Sequence, residues 1–397
     1  MKIAMFTNNY KPYIGGVPIS IEHLTKALRD RGHQVYVFAP TYKEQEEEDY
    51  VIRYPSFPVS IAKAPVPDVL TRVFEKKVKE LGIELIHVHH PAIVGNVALY
   101  LKKKYKIPVV FTYHTRYEQY LYYVKPLERM ERRTGIIEKY LEYFCKKCDM
   151  VVAPTPGIQN YLSQKNMSVP IRVMPTGIPE DCYLPDRGRA ETLRKEYKEK
   201  ADYLFITVSR LAREKNLFFQ LEGLAILKEK LWEQGKTFRH MMIGEGPQGK
   251  ELMEYANKLG LRENIIFTGN IPNQEMRYYQ AAADAFLFTS KSETQGIVVL
   301  EAMAAGKPVV AVNATGVRDV VKDGCNGFLS REVAGEWAEC ILHLLEDKRQ
   351  YQRMGREAYE TACSYSEGAV AKMAERYYQE ICGPTSTKPP IYDILSV

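Results

Sequence analysis

The chain has 397 residues, of which 45% are hydrophobic and 26% charged, and a formal net charge of +6. That length exceeds the roughly 250–300 residues at which a single core stops growing, so two or three domains are expected. The composition excludes a disordered chain, no run of about 18 apolar residues can span a membrane, and the mild positive charge requires no nucleic-acid partner.

The first residues, Met1-Lys-Ile-Ala-Met-Phe-Thr-Asn, are too short and too soon polar for a signal peptide and read as a strand. Short β-branched runs then alternate with amphipathic stretches, the rhythm of parallel sheets covered by helices on both faces. Strands are expected at 3–7, 34–39, 84–89, 109–114, 150–153 and 171–174, with a helix over 19–31 that stops at Gly32. Residues 44–49 form an acidic run, read as a solvated loop. The segment 175–185, rich in Pro and Gly, reads as a domain boundary. The rhythm restarts at 203–209 and continues through 239–243, 265–268, 285–289 and 308–312. From Gly335 to about Ile381 the pattern is helical, and 383–397, with Pro384, Pro389 and Pro390, reads as a loose tail. Seven cysteines without regular spacing argue against a disulfide framework, so a reducing cytoplasm is expected. The fold class expected is α/β, with two doubly wound Rossmann-like domains whose ligands bind beyond the carboxyl ends of the strands.

Chemistry-bearing residues fall in the loops after these strands. Following 285–289 comes Ser292-Glu-Thr-Gln-Gly-Ile-Val-Val-Leu-Glu301. Amides of Thr294, Gln295, Gly296 and Ile297 at the start of a helix suit a phosphate. Glu301, just over a turn inside that helix, can accept from ribose hydroxyls, and Glu293 from the hydroxyls of a sugar. After 203–209, Arg210 and Lys215 can converge on two phosphates and stabilise charge on a diphosphate leaving group. Gly15 and Gly16 follow the first strand and permit a tight turn, and His114 closes the strand at 109–114. His87 and His89 share a strand face without an acidic or cysteine partner at ligand spacing, so no metal is expected there. The Cys145-x2-Cys148 pair has no second pair and reads as incidental.

The run Ser292 to Ala311, with its Glu-x7-Glu pattern, closely resembles the signature of retaining family 4 glycosyltransferases with the two-domain GT-B architecture. Thr207-Val-Ser-Arg-Leu-Ala-Arg-Glu-Lys-Asn216, Gly244-Glu-Gly-Pro247 and Thr268-Gly-Asn-Ile-Pro272 are similar to further segments of that family. The resemblance implies two domains facing across a cleft: 1–178 for the acceptor and 179–364 for the nucleotide sugar, with a helix at 365–382 returning to the first. It implies that Glu293 and Glu301 take the sugar and ribose, that Gly16 and Gly244 approach the donor, that backbone near Ile271 meets the base, and that His114 lies near the transferred sugar. No Asp-x-Asp pair stands at a donor loop, so no metal or other cofactor is expected beside the nucleotide sugar.

The acceptor is sought in His114-Thr-Arg-Tyr-Glu-Gln-Tyr-Leu-Tyr-Tyr-Val-Lys125 and the helical stretch through Lys147; from Lys125 to Lys147 seven cations stand against four acids. Arg116, Tyr117, Tyr120, Tyr122, Tyr123, Arg132 and Arg133 mark a basic, aromatic face that suits an anionic membrane surface, although a core-facing helix with a solvated charged face has the same periodicity. Together with Pro175-Thr-Gly-Ile178, this stretch resembles the bacterial diacylglycerol glucosyltransferase branch. The resemblance implies a peripheral enzyme on the inner leaflet that moves glucose from UDP-glucose to the 3-hydroxyl of diacylglycerol. A soluble or polyprenyl-linked sugar acceptor is the alternative; the motifs also leave open the sugar and the choice of uridine or guanosine.

Overall fold

The structure is a computed structural model that describes residues 1–13, 15–45, 47–61, 64–67, 72–116, 131, 134–165, 167–183 and 185–383. The chain divides into two compact units: Met1–Gly177 together with the segment from Glu367, and Ile178–Ser366.

The first unit runs β1 (Lys2–Phe6), α1 (Gly16–Asp30), β2 (Gln34–Pro40), β3 (Val51–Tyr54), β4 (Ser56–Ile61), β5 (Ala64–Pro67), α2 (Val73–Leu81), β6 (Leu85–Val88), α3 (Val94–Tyr105), β7 (Val109–Thr112), α4 (Ile136–Lys147), β8 (Met150–Ala153), α5 (Pro156–Ser163) and β9 (Ile171–Val173). Seven strands form one sheet in the order β3-β2-β1-β6-β7-β8-β9, and β4 and β5 pair separately. Every pairing in the large sheet is parallel. Such strands are apolar on both faces because helices cover both. In β1, Ala4 and Phe6 join one core with Phe38, Phe111 and Phe144, while Ile3 and Met5 join another with Ile21, Leu24 and Leu28 of α1. The six strands expected from the sequence are present to within two residues. β3 and the β4–β5 pair were not anticipated: β3 is an edge strand of four residues in which only Tyr54 is fully buried, too short for its alternation to show.

The second unit runs α6 (Arg187–Lys198), β10 (Tyr203–Val208), α7 (Leu217–Glu233), β11 (Phe238–Ile243), α8 (Gly249–Lys258), β12 (Ile265–Gly269), α9 (Asn273–Ala282), β13 (Ala285–Phe288), α10 (Ile297–Ala304), β14 (Val309–Val312), β15 (Gly327–Ser330), α11 (Ala334–Glu346) and α12 (Lys348–Cys363). Its sheet is parallel, in the order β12-β11-β10-β13-β14-β15. Of its two edge strands, β12 was expected and β15 is the one that the sequence pattern did not show. The last helix, α13 (Glu367–Cys382), belongs to the first unit, where Val370, Ala371, Ala374 and Tyr378 share a core with α1.

Both sheets have the reversal of strand order at which open α/β sheets bind ligands. It lies between β1 and β6 in the first and between β10 and β13 in the second. Away from that edge, Trp337 of α11 is fully buried. It fits against α7 only because residue 223 is glycine, where a Cβ would stand 2.5 Å from the indole. Trp337→Ala is therefore expected to cost about 3–5 kcal/mol, seen as a lowered denaturant midpoint for the second unit.

Candidate active site

β10 and β13 are adjacent although β11 and β12 separate them in sequence, with Phe205 paired to Ala285 and Ile206 to Phe286. Their following loops, 209–216 and 289–296, thus leave the sheet side by side and are stitched together. Thr289 Oγ1 donates to Lys215 O (2.9 Å), Ser290 Oγ lies 3.4 Å from Glu214 O, and the Lys291 amide donates to Glu214 O (3.3 Å). Glu332 Oε1 accepts from both Lys291 Nζ (2.7 Å) and Asn216 Nδ2 (2.9 Å).

This stitching brings together two of the residues singled out in the sequence. Lys215 Nζ lies 2.5 Å from Glu293 Oε1, and the same oxygen accepts from Ser290 Oγ at 2.7 Å. Burial would raise the Glu293 carboxyl, but the Lys215 ammonium and the Ser290 hydroxyl hold it below its ordinary value. An ammonium carries three donors, so Lys215 can meet a phosphate oxygen while it keeps Glu293.

Gly296 takes a left-handed conformation (φ 81°) and caps α10. Behind it, Thr294 and Ile297 are half-buried and Gln295 is buried. Glu301 is buried on α10, and Gln280 Nε2 of α9 donates to its Oε2 at 3.3 Å. Burial moves this carboxyl up, against the opposing effect of Gln280. Two glutamates eight residues apart are therefore driven in opposite directions: one sits with a cation and a hydroxyl, the other with a single neutral amide.

Glycines set the shape of the loops. A Cβ at Gly244 would lie 2.1 Å from Ser209 O, and one at Gly246 would lie 2.2 Å from Leu211 O. The Gly244-Glu-Gly-Pro247 turn therefore presses on the backbone either side of Arg210. It is held there by the Leu211 amide on Glu245 O and the Gln248 amide on Leu211 O. Arg210 itself is exposed on this loop. Ile271, half-buried after β12, packs on the core that contains α10.

Gly316, in the loop after β14, was not singled out in the sequence. It is buried, left-handed (φ 82°), and its Cβ would lie 2.3 Å from Glu293 O. A glycine in Asn313-Ala-Thr-Gly316 just beyond a strand's carboxyl end was the available signal. Ser290, Gln280 and Glu332 carried none, being polar residues with no distinctive spacing.

In the first unit, Gly16 is exposed at the first position of α1. His114 follows β7, and its Nε2 lies 2.8 Å from Nδ1 of His89. His90 instead accepts the Asn8 amide on Nδ1 (3.2 Å) beside Thr7 Oγ1, so the neighbouring imidazoles do not converge on one point. Burial holds His114 and His89 well below the ordinary histidine range, His90 at about 4 and His87 at about 3. Arg116 lies over the Tyr161 ring of α5, 4.7 Å from its centroid. Tyr117, Tyr120, Tyr122, Tyr123, Arg132 and Arg133 lie outside the described residues. In α4, Leu141, Phe144 and Cys145 face the core, and Ile136, Lys139, Tyr143, Lys146 and Lys147 are exposed. Among the described residues no helix is long and apolar enough to cross a membrane.

Residues 14–181 match the family model described as Glycosyltransferase Family 4, and residues 189–361 match that described as Glycosyl transferases group 1. A Streptococcus pneumoniae protein named alpha-monoglucosyldiacylglycerol synthase is 31% identical over 356 residues, covering 86% of this chain and 78% of the relative. The chain belongs to the family 4 glycosyltransferases. An Acholeplasma laidlawii protein of the same name is 27% identical over 98% of this chain and 99% of its own length. Among solved structures, Anabaena Alr3699/HepE in complex with UDP-glucose matches with a TM-score of 0.75 at 20% identity, over 96% of this chain and 100% of that one. The expected GT-B fold class, with two Rossmann-like domains, is thereby established. The enzyme moves a sugar from a nucleotide sugar.

Two outcomes are expected of this glycosyltransferase. Gly316→Ala places a methyl against the Glu293 carbonyl in a left-handed conformation that costs about 1–3 kcal/mol. Titration calorimetry should show a roughly ten-fold or greater loss of nucleoside diphosphate affinity with an unchanged circular dichroism spectrum. Glu301 is the ribose acceptor expected from the sequence, and its buried carboxyl ionises only above the ordinary glutamate range. On that expectation nucleoside diphosphate affinity falls as the pH is lowered until this carboxyl is protonated, and Glu301→Gln binds more weakly at high pH and loses most of that dependence.

Proposed function

We propose that the enzyme moves glucose from UDP-glucose to the 3-hydroxyl of 1,2-diacylglycerol, with retention and without a metal ion, on the inner leaflet of the cell membrane. The observation that carries the donor half is the Lys215–Glu293–Ser290 cluster between the two switch-point loops. In this scheme Lys215, Arg210 and the start of α10 at Thr294–Ile297 stabilise the charge that grows on the leaving diphosphate. Glu301 accepts from the ribose, backbone near Ile271 meets the base, and Gly16 and Gly244 admit the donor closely. Glu293, already shared between an ammonium and a hydroxyl, positions sugar hydroxyls rather than acting as a covalent nucleophile. His114 meets the transferred sugar. Attack then proceeds on the same face through an oxocarbenium-like state, and the leaving phosphate takes the acceptor proton.

Two features support a lipid acceptor. Both curated relatives are named for making a glucosyl diacylglycerol with an alpha linkage, the outcome of retention from an alpha-linked donor. In addition, α3 and α4, joined by Lys102 Nζ to Lys147 O at 2.8 Å, expose Tyr100 (51%), Ile136 (49%) and Tyr143 (57%). Exposed Lys103, Lys104, Lys139, Lys146 and Lys147 lie on the same two helices. Each such cation near an anionic leaflet contributes about 1 kcal/mol. The buried apolar side of α4 belongs to the core, so membrane contact falls to this outer aromatic and basic face and to Arg116, Tyr117, Tyr120, Tyr122, Tyr123, Arg132 and Arg133.

A panel of nucleotide sugars crossed with diacylglycerol in anionic vesicles and with soluble and polyprenyl-linked sugars, scored by product mass and anomeric configuration, tests this. An alpha-glucosyl diacylglycerol formed from UDP-glucose in excess chelator is expected; transfer to sugars alone overturns the acceptor. Lys215→Ala should lower turnover roughly 10²–10³-fold, and wild-type turnover in that variant removes the donor assignment.

A further inference from the structure

The amino-terminal edge of the second unit's sheet carries a cavity of about 380 Å³, a size that holds small molecules. Three segments that lead into strands wall it: 198–201 before β10, 236–239 at the start of β11 and 260–264 before β12. Lys228 and Trp232 of α7 complete the lining. The loops 209–216 and 289–296 leave the opposite edge of the same sheet, so the cavity stands apart from the Lys215–Glu293 cluster.

Six cations line it, Lys198, Lys200, Lys228, Lys236, Arg239 and Arg262, against two acids, Glu199 and Glu263. The lining therefore carries an excess of four positive charges, on a chain whose net charge is +6. Cations are favoured at the carboxyl ends of helices, and α6, α7 and α8 all end here. Each end carries about half a negative charge, so three ends answer roughly 1.5 of the four and leave an excess of about 2.5.

Little within the protein meets that excess. Lys198, Lys200, Lys236 and Arg262 have no ion-pair partner among the described residues. Lys236 faces the Tyr203 ring, 5.7 Å from its centroid, and Lys228 Nζ donates to Gly260 O at 2.6 Å. Arg239 Nη1 lies 3.1 Å from Glu199 Oε2, but that carboxylate is 59% exposed and such a pair contributes little. Arg239 Nε is buried without an acceptor, so the guanidinium keeps donor capacity for an anion.

Trp232 adds a second kind of recognition. It is 73% exposed, more than any other large hydrophobic side chain among the described residues. A lone exposed indole is ordinary; one on the wall of a basic cavity offers a ring face on which a base can stack. We propose that this cavity binds a polyphosphate anion, and that a nucleoside polyphosphate fills it best because its base stacks on Trp232.

The chain has two tryptophans, and Trp337 is fully buried, so Trp232 emission reads a ligand in the cavity. ATP and tripolyphosphate carry the same three phosphates with and without a base. Titrated into the full-length protein at constant ionic strength without divalent cations, both are expected to change the emission saturably, ATP at the lower concentration. The response should be the same in Lys215→Ala, which weakens the donor site. In Lys200→Glu/Arg262→Glu both ligands should bind about ten-fold or more weakly. Trp232→Ala, measured by calorimetry in the Lys215→Ala background, should weaken ATP about five-fold or more and leave tripolyphosphate unchanged. No saturable response, a response equal to that of sodium chloride at the same ionic strength, or an unchanged response in the charge-reversed variant overturns the proposal. So does a response to phosphatidylglycerol vesicles alone, which would make this face a membrane contact. Equal affinity for ATP and tripolyphosphate overturns the assignment to nucleotides.

Discussion

The contact on which the second unit's site depends is the ion pair between Lys215 and Glu293. It joins loops that are 78 residues apart in sequence and adjacent only because β10 and β13 are neighbours at the reversal of strand order. An exposed pair of this kind contributes little. Here each side chain is only 17% exposed, and the carboxylate takes a second donor from Ser290. Lys215 foremost, with Ser290, lets Glu293 remain ionised where burial alone would favour its neutral form. The same arrangement delivers a cation and an acceptor to one point at the carboxyl edge of the sheet.

Around this pair, backbone meets backbone. Gly316 presses on Glu293, and Gly244 and Gly246 press on the residues flanking Arg210; a Cβ at any of these three positions would come within 2.4 Å of a carbonyl oxygen. These contacts help to hold the loops in place: they are wedged by backbone contact as well as tethered by side chains. They also give Gly244-Glu-Gly-Pro247 a role that its resemblance alone did not disclose. Besides lying among the loops at the sheet's carboxyl edge, it buttresses Arg210.

The two units answer the problem of a buried polar group differently. In the second, opposite charges are paired. In the first, the stacked imidazoles of His87, His89 and His114 are kept neutral by burial. Neutral rings stack without repulsion.

Much of this molecule is legible in its sequence. The alternation of buried strands and amphipathic helices placed most of both sheets, because strands covered on both faces are continuous apolar runs. The Glu293-to-Glu301 motif and the Arg210–Lys215 segment carried the resemblance to the family to which the chain belongs, because a helix start, a glycine and charged residues at set spacing are local features. The strands β3 and β15 escaped, since each is only four residues long and carries just three and two apolar residues respectively. Ser290, Gln280, Glu332 and Gly316 escaped for a related reason: an ordinary polar residue or glycine acquires its role only from a partner brought to it by the fold. His87 and His89 show this most clearly. Their spacing placed them on one strand face, but only the fold brought Tyr378, His114 and Met5 to their ring nitrogens, because such contacts are set by packing and not by neighbours in the chain.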